Sequence, residues 1–454
     1  MKKSLETKLA AIHADPGCRE FIIADAKDAD MALGIGAPGQ SPEMHSGEVR
    51  FRTLEEYRDQ MRLITRSGLV DIMLMSASSN FALTFRERLF DDSPVTPAVR
   101  ANDTTDIHLA RGAGYHEHPS RPFRTASIDH IQCGHIDCDP EERTQGANLG
   151  LYSVTFNNNL ERDLATLERF HEFREEAERK GFRYFLEVFD PNIKDAVKAE
   201  LLPGYLNDMI SRMLAGVAPA GRPLFLKMVY HGPKAMEELV RYDPYLVVGI
   251  LGGSAGTTRD AFQLLHDAQK YGARVALFGR KINNAENQLA FVHFLRLIVE
   301  RQLDPIEAVR AYHAVLQRLG IKPHRALEAD LQLTDQSMSY AGGSRTTVSR
   351  DNSANLVPAR PAMTTIQPAK IPAASATCGC HSHETNGKKP SANGVAGRCG
   401  CERPLVTESK SIVSRQILVK PAPAAISSNG HPDFSRMSSA ERLAYHRERL
   451  GLGR

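Results

Sequence analysis

Short apolar runs alternate with longer stretches of helical period along most of this chain. Between 224 and 280 the alternation is clearest. An apolar run at 224–230 precedes a helical segment at about 233–241. A second run at 246–251 precedes a helix at about 257–271, and a third run follows at 273–278. Continuous apolar runs of this length fit parallel strands buried on both faces. Upstream, the same reading places strands at 21–25, 70–75, 123–133, 150–156 and 182–189. Helices are predicted at 1–19, 53–67, 78–90, 160–180 and about 203–216, then at 285–301 and 305–319. Their buried stripes include Tyr57, Met61 and Ile64 in the second, and Leu164, Leu167, Phe170 and Phe173 in the fourth. Eight strands in series with helices between them predict a (β/α)8 barrel over 1–335. The segment 91–121 reads as a polar, irregular connection.

Beyond about 335 the periodicity stops, and Pro, Ala, Ser and Thr dominate. The composition predicts a disordered linker over 336–437. A short helix is expected at 438–454, with Ser438 and Glu441 as a capping box and Gly451 as its stop. A helix on a long linker has the layout of a docking peptide for a partner or a protein shell.

The net charge of +3 is too small to point to nucleic acid. No apolar stretch approaches 18 residues and no leader is evident, so a cytoplasmic protein without a membrane span is expected. Seven unevenly spaced cysteines do not read as a secreted disulfide framework.

Candidate chemistry begins with Lys227, in the middle of the apolar run 224–230. An ammonium there must be paired, reach water at the strand end, or lose its proton. A neutral buried lysine is the nucleophile of Schiff-base chemistry. Two glycine-rich strand ends follow, Gly252-Gly253-Ser254 and Gly279-Arg280. Backbone N–H groups and an arginine at such turns suit a phosphate, and barrels commonly hold phosphate after strands 7 and 8. Gly34, Gly36 and Gly39 match a dinucleotide fingerprint in spacing. The preceding strand ends too early, and Pro38 and Pro42 oppose a helix there, so this stretch reads as a plain loop.

The run 227–232 (Lys-Met-Val-Tyr-His-Gly), Gly252-Gly253, Arg259-Asp260-Ala261, Gly272-Ala273 and Gly279-Arg280 resemble class I aldolases. The family is that of archaeal-type fructose-bisphosphate aldolases, with deoxyribose-phosphate and autoinducer-processing relatives. The resemblance covers about 220–300 well and thins before that. It implies a Schiff-base lysine on strand 6, here Lys227, and no metal in the barrel. It also implies phosphate at Gly252, Gly253, Ser254, Gly279 and Arg280, and an aspartate closing strand 1, here Asp25, that bonds substrate hydroxyls. The sequence departs from the family where a tyrosine acid/base is usual. Glu187 and Phe189 stand there, and Phe189 cannot carry a proton, so Glu187 or Tyr230 is the candidate proton carrier. Lys281 replaces the family's usual asparagine after Arg280.

The expected activity is C–C bond cleavage or formation on a phosphorylated sugar or ketose, by a homo-oligomer. A transaldolase-like or thiolase-like transfer by the same lysine, and a barrel that has become a scaffold or ligand-binding component, are the alternatives. Two Cys/His groups stand apart. Cys133-x-His135-x-x-Cys138 matches no standard zinc spacing and reads as loop packing. In the tail, Cys378, Cys380, His381, His383, Cys399 and Cys401 place six soft ligands in 24 residues, where a zinc knot and an unstructured tail are both open.

Overall fold

The computed structural model describes residues 1–15, 17–39, 51–107, 110, 112–253 and 256–334. The expected linker, the tail Cys/His cluster, the C-terminal helix and Ser254 lie outside the described residues.

Eight parallel strands close into a barrel: β1 (Ile22–Lys27), β2 (Ile72–Met75), β3 (Thr96–Arg100), β4 (Leu149–Thr155), β5 (Arg183–Phe189), β6 (Leu226–Met228), β7 (Gly249–Leu251) and β8 (Val275–Phe278). Each strand pairs with its neighbour in chain order, and β8 closes on β1. The expected (β/α)8 architecture is therefore the observed one.

Strand periodicity sorts side chains into two cores. Ile22, Ala24, Leu74, Ala98, Leu151, Phe185, Phe225, Val275 and Leu277 fill the barrel interior, with Phe185 stacked on Phe225 at 4.6 Å. The alternate positions, among them Ile23, Met73, Leu186, Met228 and Phe278, pack outward with the helices. The N-terminal helix Ser4–Ala14 adds Leu5, Leu9 and Ile12 to the interior cluster. Lys8 in that helix pairs with Asp71 at 3.0 Å, and Arg296 holds the same carboxylate at 2.8 Å. This helix closes the end of the barrel where the strands begin and leaves the other end for a site.

Strand 3 lies where the sequence reading placed a polar connection. β3 is Thr96–Arg100, whereas the expected strand at 123–133 contains the helix Ile128–Gln132, capped by Ser127. The strand is short, and Pro97 sits inside it. Proline lacks a ladder donor, but Pro97 falls before β3 begins to pair with β4 at Val99. A five-residue strand interrupted by proline gives little periodic signal. The segment expected as one helix at 78–90 is a turn of α-helix, Ala77–Asn80, running into a π-helix, Phe81–Arg86. Cys133 and Cys138, read from the sequence as packing residues, are joined by a disulfide.

Candidate active site

A pocket opens where the strands end. It is lined by Asp28, Arg100, Glu187, Phe189, Lys227, Gly252, Gly253, Gly279 and Arg280, with Ala26, Ala29, Ala32 and Leu33 along the β1 side.

Strand register assembles its polar floor. Ser153 on β4, Glu187 on β5 and Lys227 on β6 are at matching register positions, and all three are buried. Glu187 Oε1 pairs with Lys227 Nζ. Its other oxygen, Oε2, accepts from Ser153 Oγ at 2.7 Å and from Arg100 Nη2 at 3.3 Å. Arg100 Nη1 donates to Ser153 Oγ at 3.0 Å, and Arg100 Nε pairs with Asp28 Oδ2. The result is a buried chain of alternating sign, Asp28, Arg100, Glu187, Lys227. The surrounding carboxylates outweigh burial and hold the Arg100 guanidinium above its usual range. Buried charges of this kind are tolerated because each is paired and hydrogen-bonded.

Arg280 stands on the β8 side of the pocket. Burial lowers its pKa, Glu187 opposes the shift, and among the described residues it has no ion-pair partner. Gly252 and Gly253 lie at the end of β7. A Cβ on Gly252 would come within 2.1 Å of the Phe278 ring, and Gly253 has φ +59°, so both positions require glycine for packing or backbone reasons alone. Lys281, next to Arg280, donates to the Gly256 carbonyl at 2.9 Å. Burial, then the Arg325 charge, lowers its pKa to about 8.

The structure brings together Lys227, Glu187, Gly252, Gly253, Gly279 and Arg280 of the residues singled out by sequence. Asp25 and Tyr230 are elsewhere. Asp25 faces outward from β1, fully buried, and pairs with the equally buried Lys27 at 2.9 Å. Lys27 also donates to Asn283 Oδ1 at 2.6 Å, and Asn283 donates to the Tyr57 hydroxyl at 3.2 Å. Burial raises the Asp25 carboxyl and lowers the Lys27 ammonium. Tyr230 belongs to the outer core, between strands and helices. Two pocket residues were not anticipated. Asp28 lies just past the end of β1, on the inward parity of Ala24 and Ala26. Arg100 ends a strand that the sequence reading missed; a charged residue closing the run Val95–Val99 was its one visible signal.

Solved structures similar to this chain include fructose-bisphosphate aldolases. One is an archaeal fructose-1,6-bisphosphate aldolase with its catalytic lysine covalently bound to the carbinolamine intermediate. It is 14% identical, covers 64% of this chain and 99% of its own, and has a TM-score of 0.46. Another is the fructose-bisphosphate aldolase from Slackia heliotrinireducens, 15% identical over 68% of this chain and 91% of its own, with a TM-score of 0.48. A Corynebacterium glutamicum protein is 16% identical over 67% of this chain and 99% of its own, at a TM-score of 0.43. These likenesses concern the fold. No protein-family model matches the chain, and no curated protein matches it in sequence. Among the described residues no helix is long and apolar enough to cross a membrane.

Proposed function

We propose that the chain is a class I aldolase acting on a phosphorylated sugar or ketose through an imine on Lys227. The observation that carries this reading is the Lys227–Glu187 pair at the floor of a pocket that Arg280 also lines.

The carbonyl carbon of a substrate is attacked by the neutral amine, so the Lys227 ammonium must first lose a proton. Glu187 is bonded to that ammonium and is the group placed to take it. The same carboxyl can return the proton to the carbinolamine oxygen, which leaves as water and gives the iminium. The iminium then accepts the electron pair of the C–C bond that breaks. Ser153 and Arg100 fix the Glu187 carboxylate through its second oxygen. Arg280, with the backbone at Gly252, Gly253 and Gly279, is assigned to the phosphate, whose charge suits a partly buried guanidinium with no ion-pair partner among the described residues. Asp28, held by Arg100, takes the hydroxyl-orienting role that sequence reasoning gave to Asp25. Tyr230 has no part in this reading. The reaction requires no metal in the pocket.

Phe189 lines the pocket where a proton carrier would serve bond cleavage, and this favours one alternative, a barrel that binds a phosphorylated ligand without cleaving it. Borohydride trapping followed by intact-mass and peptide analysis separates the two. The aldolase reading expects a reduced substrate adduct on Lys227 with dihydroxyacetone phosphate or a sugar phosphate. If phosphorylated ketoses and aldehydes bind but leave no adduct, the ligand-binding reading stands instead.

A further inference from the structure

A second polar cluster lies in the loop between β3 and β4, and none of its residues lines the pocket. Cys133 and Cys138 are disulfide-bonded there. His135 sits between them in sequence, and Glu142 lies in the following 3-10 turn, Pro140–Thr144. Ligand atoms of Cys133, His135 and Glu142 all fall within 4.8 Å of one another, and the Cys138 sulfur is bonded to that of Cys133. Three metal-binding side chains therefore share one small volume, and a fourth, Cys138, is bonded to one of them.

The histidine is set as a ligand would be. Its Nδ1 lies 2.9 Å from the Ile136 carbonyl oxygen, which can only accept, so Nδ1 carries a proton. Its Nε2 faces Glu142 Oε2 at 3.3 Å. In the neutral ring those two atoms present lone pairs to each other, an arrangement that calls for a proton or a cation between them. A backbone carbonyl on the far ring nitrogen is the usual support of a metal-bound histidine.

The loop is anchored independently of the disulfide. Asp129 accepts from Arg143 at 2.8 Å and from the Asp137 backbone at 3.2 Å, and pairs with Lys180 at 2.9 Å. These bonds keep the donors close when the sulfurs separate. Sequence spacing alone had no fourth ligand; the fold supplies it as Glu142.

We propose that this loop is a redox-gated zinc site, with Cys133, Cys138, His135 and Glu142 as ligands. Two thiolates, an imidazole and a carboxylate make a donor set that suits tetrahedral zinc. In the structure described the site is closed by the disulfide. A dithiol reductant opens it: the S–S bond breaks, two electrons and two protons pass to the two sulfurs, and the reductant becomes a disulfide. Zinc then displaces both thiol protons to solvent. The centre so formed carries net negative charge. Oxidation reverses the sequence and releases the metal.

The test uses the full-length chain with Cys378, Cys380, Cys399 and Cys401 changed to Ser, so that the tail does not compete. Zinc is added to phosphine-reduced and to disulfide-bonded protein, and bound metal is counted by native mass spectrometry after desalting. The reduced form is expected to hold one more zinc than the oxidised form. His135→Ala, at an exposed position, should weaken that zinc at least about tenfold in a chelator competition, since even outer-sphere partners of a metal ligand are worth that much. Glu142→Gln should weaken it too, which guards against a folding defect in either variant as judged by circular dichroism. Equal zinc in the reduced and oxidised forms, or unchanged zinc affinity in both folded variants, overturns the proposal.

Discussion

Glu187 and Lys227 are register partners on adjacent strands, and their charged ends meet at the floor of the pocket. The pairing makes two substitutions informative. Lys227→Met keeps an unbranched side chain of similar length and should leave the barrel folded while abolishing borohydride-trapped adduct. Glu187→Gln keeps the shape but removes the proton acceptor, so imine formation should slow by about 10²–10⁴-fold. Stopped-flow trapping measures both. Wild-type adduct formation in either variant would remove that residue from the chemistry.

Arg280 is expected to recognise a phosphate. Arg280→Ala should raise KM for phosphorylated substrates by about tenfold to a hundredfold, the worth of a charge-assisted hydrogen bond. Unphosphorylated analogues should be affected much less. Equal losses on both substrate types would place the phosphate elsewhere.

Arg100 joins Asp28 to Glu187 inside the barrel. Arg100→Met leaves buried Asp28 without its counterion and Glu187 with Lys227 alone. The expected cost is about 3–5 kcal/mol, read from urea denaturation. Arg100→Lys, which keeps the charge but not the fork, should lose less. A wild-type midpoint for Arg100→Met would show that the network does not hold the fold.

Lys281 gives a pH signature. Its folded pKa is lowered to about 8, against an ordinary lysine value of 10.5. Between those values the unfolded chain binds the extra proton, so stability rises with pH across that window. Below about pH 8 both states are protonated, and the burial penalty is present in full. Lys281→Met should abolish the lysine's share of the rise. The wild type should therefore gain on the variant between about pH 8 and 10.5 in denaturant titrations. Parallel stability curves would show that Lys281 is not desolvated.

Removal of residues 336–454 is expected to leave an active barrel that has lost co-assembly with a partner or shell. Activity assays and co-sedimentation check the two halves of that expectation. An insoluble or inactive truncation would assign the segment to the fold.

Most of the barrel was legible because β1, β2 and β4 to β8 are predominantly apolar runs, nearly every residue of which is buried. β3 was not, because Pro97 and its flanking polar residues hide a strand of five residues. Losing that strand meant losing Arg100, which ties Asp28 to Glu187. Lys227 was visible because a cation inside an apolar run needs an explanation. Asp25 shows the opposite limit. A carboxylate near a strand end can face either side of the sheet, and side-chain parity decides which. Asp25 shares the outward parity of Ile23, so it meets Lys27 rather than the pocket. The approach of His135 and Glu142 to the two cysteines depends on loop conformation, which periodicity does not record.

Ala26, Ala29 and Ala32 line the β1 side of the pocket around Asp28, while Glu187 and Lys227 lie on β5 and β6. On the aldolase reading, size selection would rest on the alanines and reactivity on the Lys227–Glu187 pair. Enlarging Ala32 would then narrow the range of acceptable chain lengths without replacing a charged residue. A change among the paired ions would do the reverse, altering turnover while leaving the steric filter as it was. The barrel is accordingly a modular starting point for redirecting substrate choice, with the alanine wall as the place to begin.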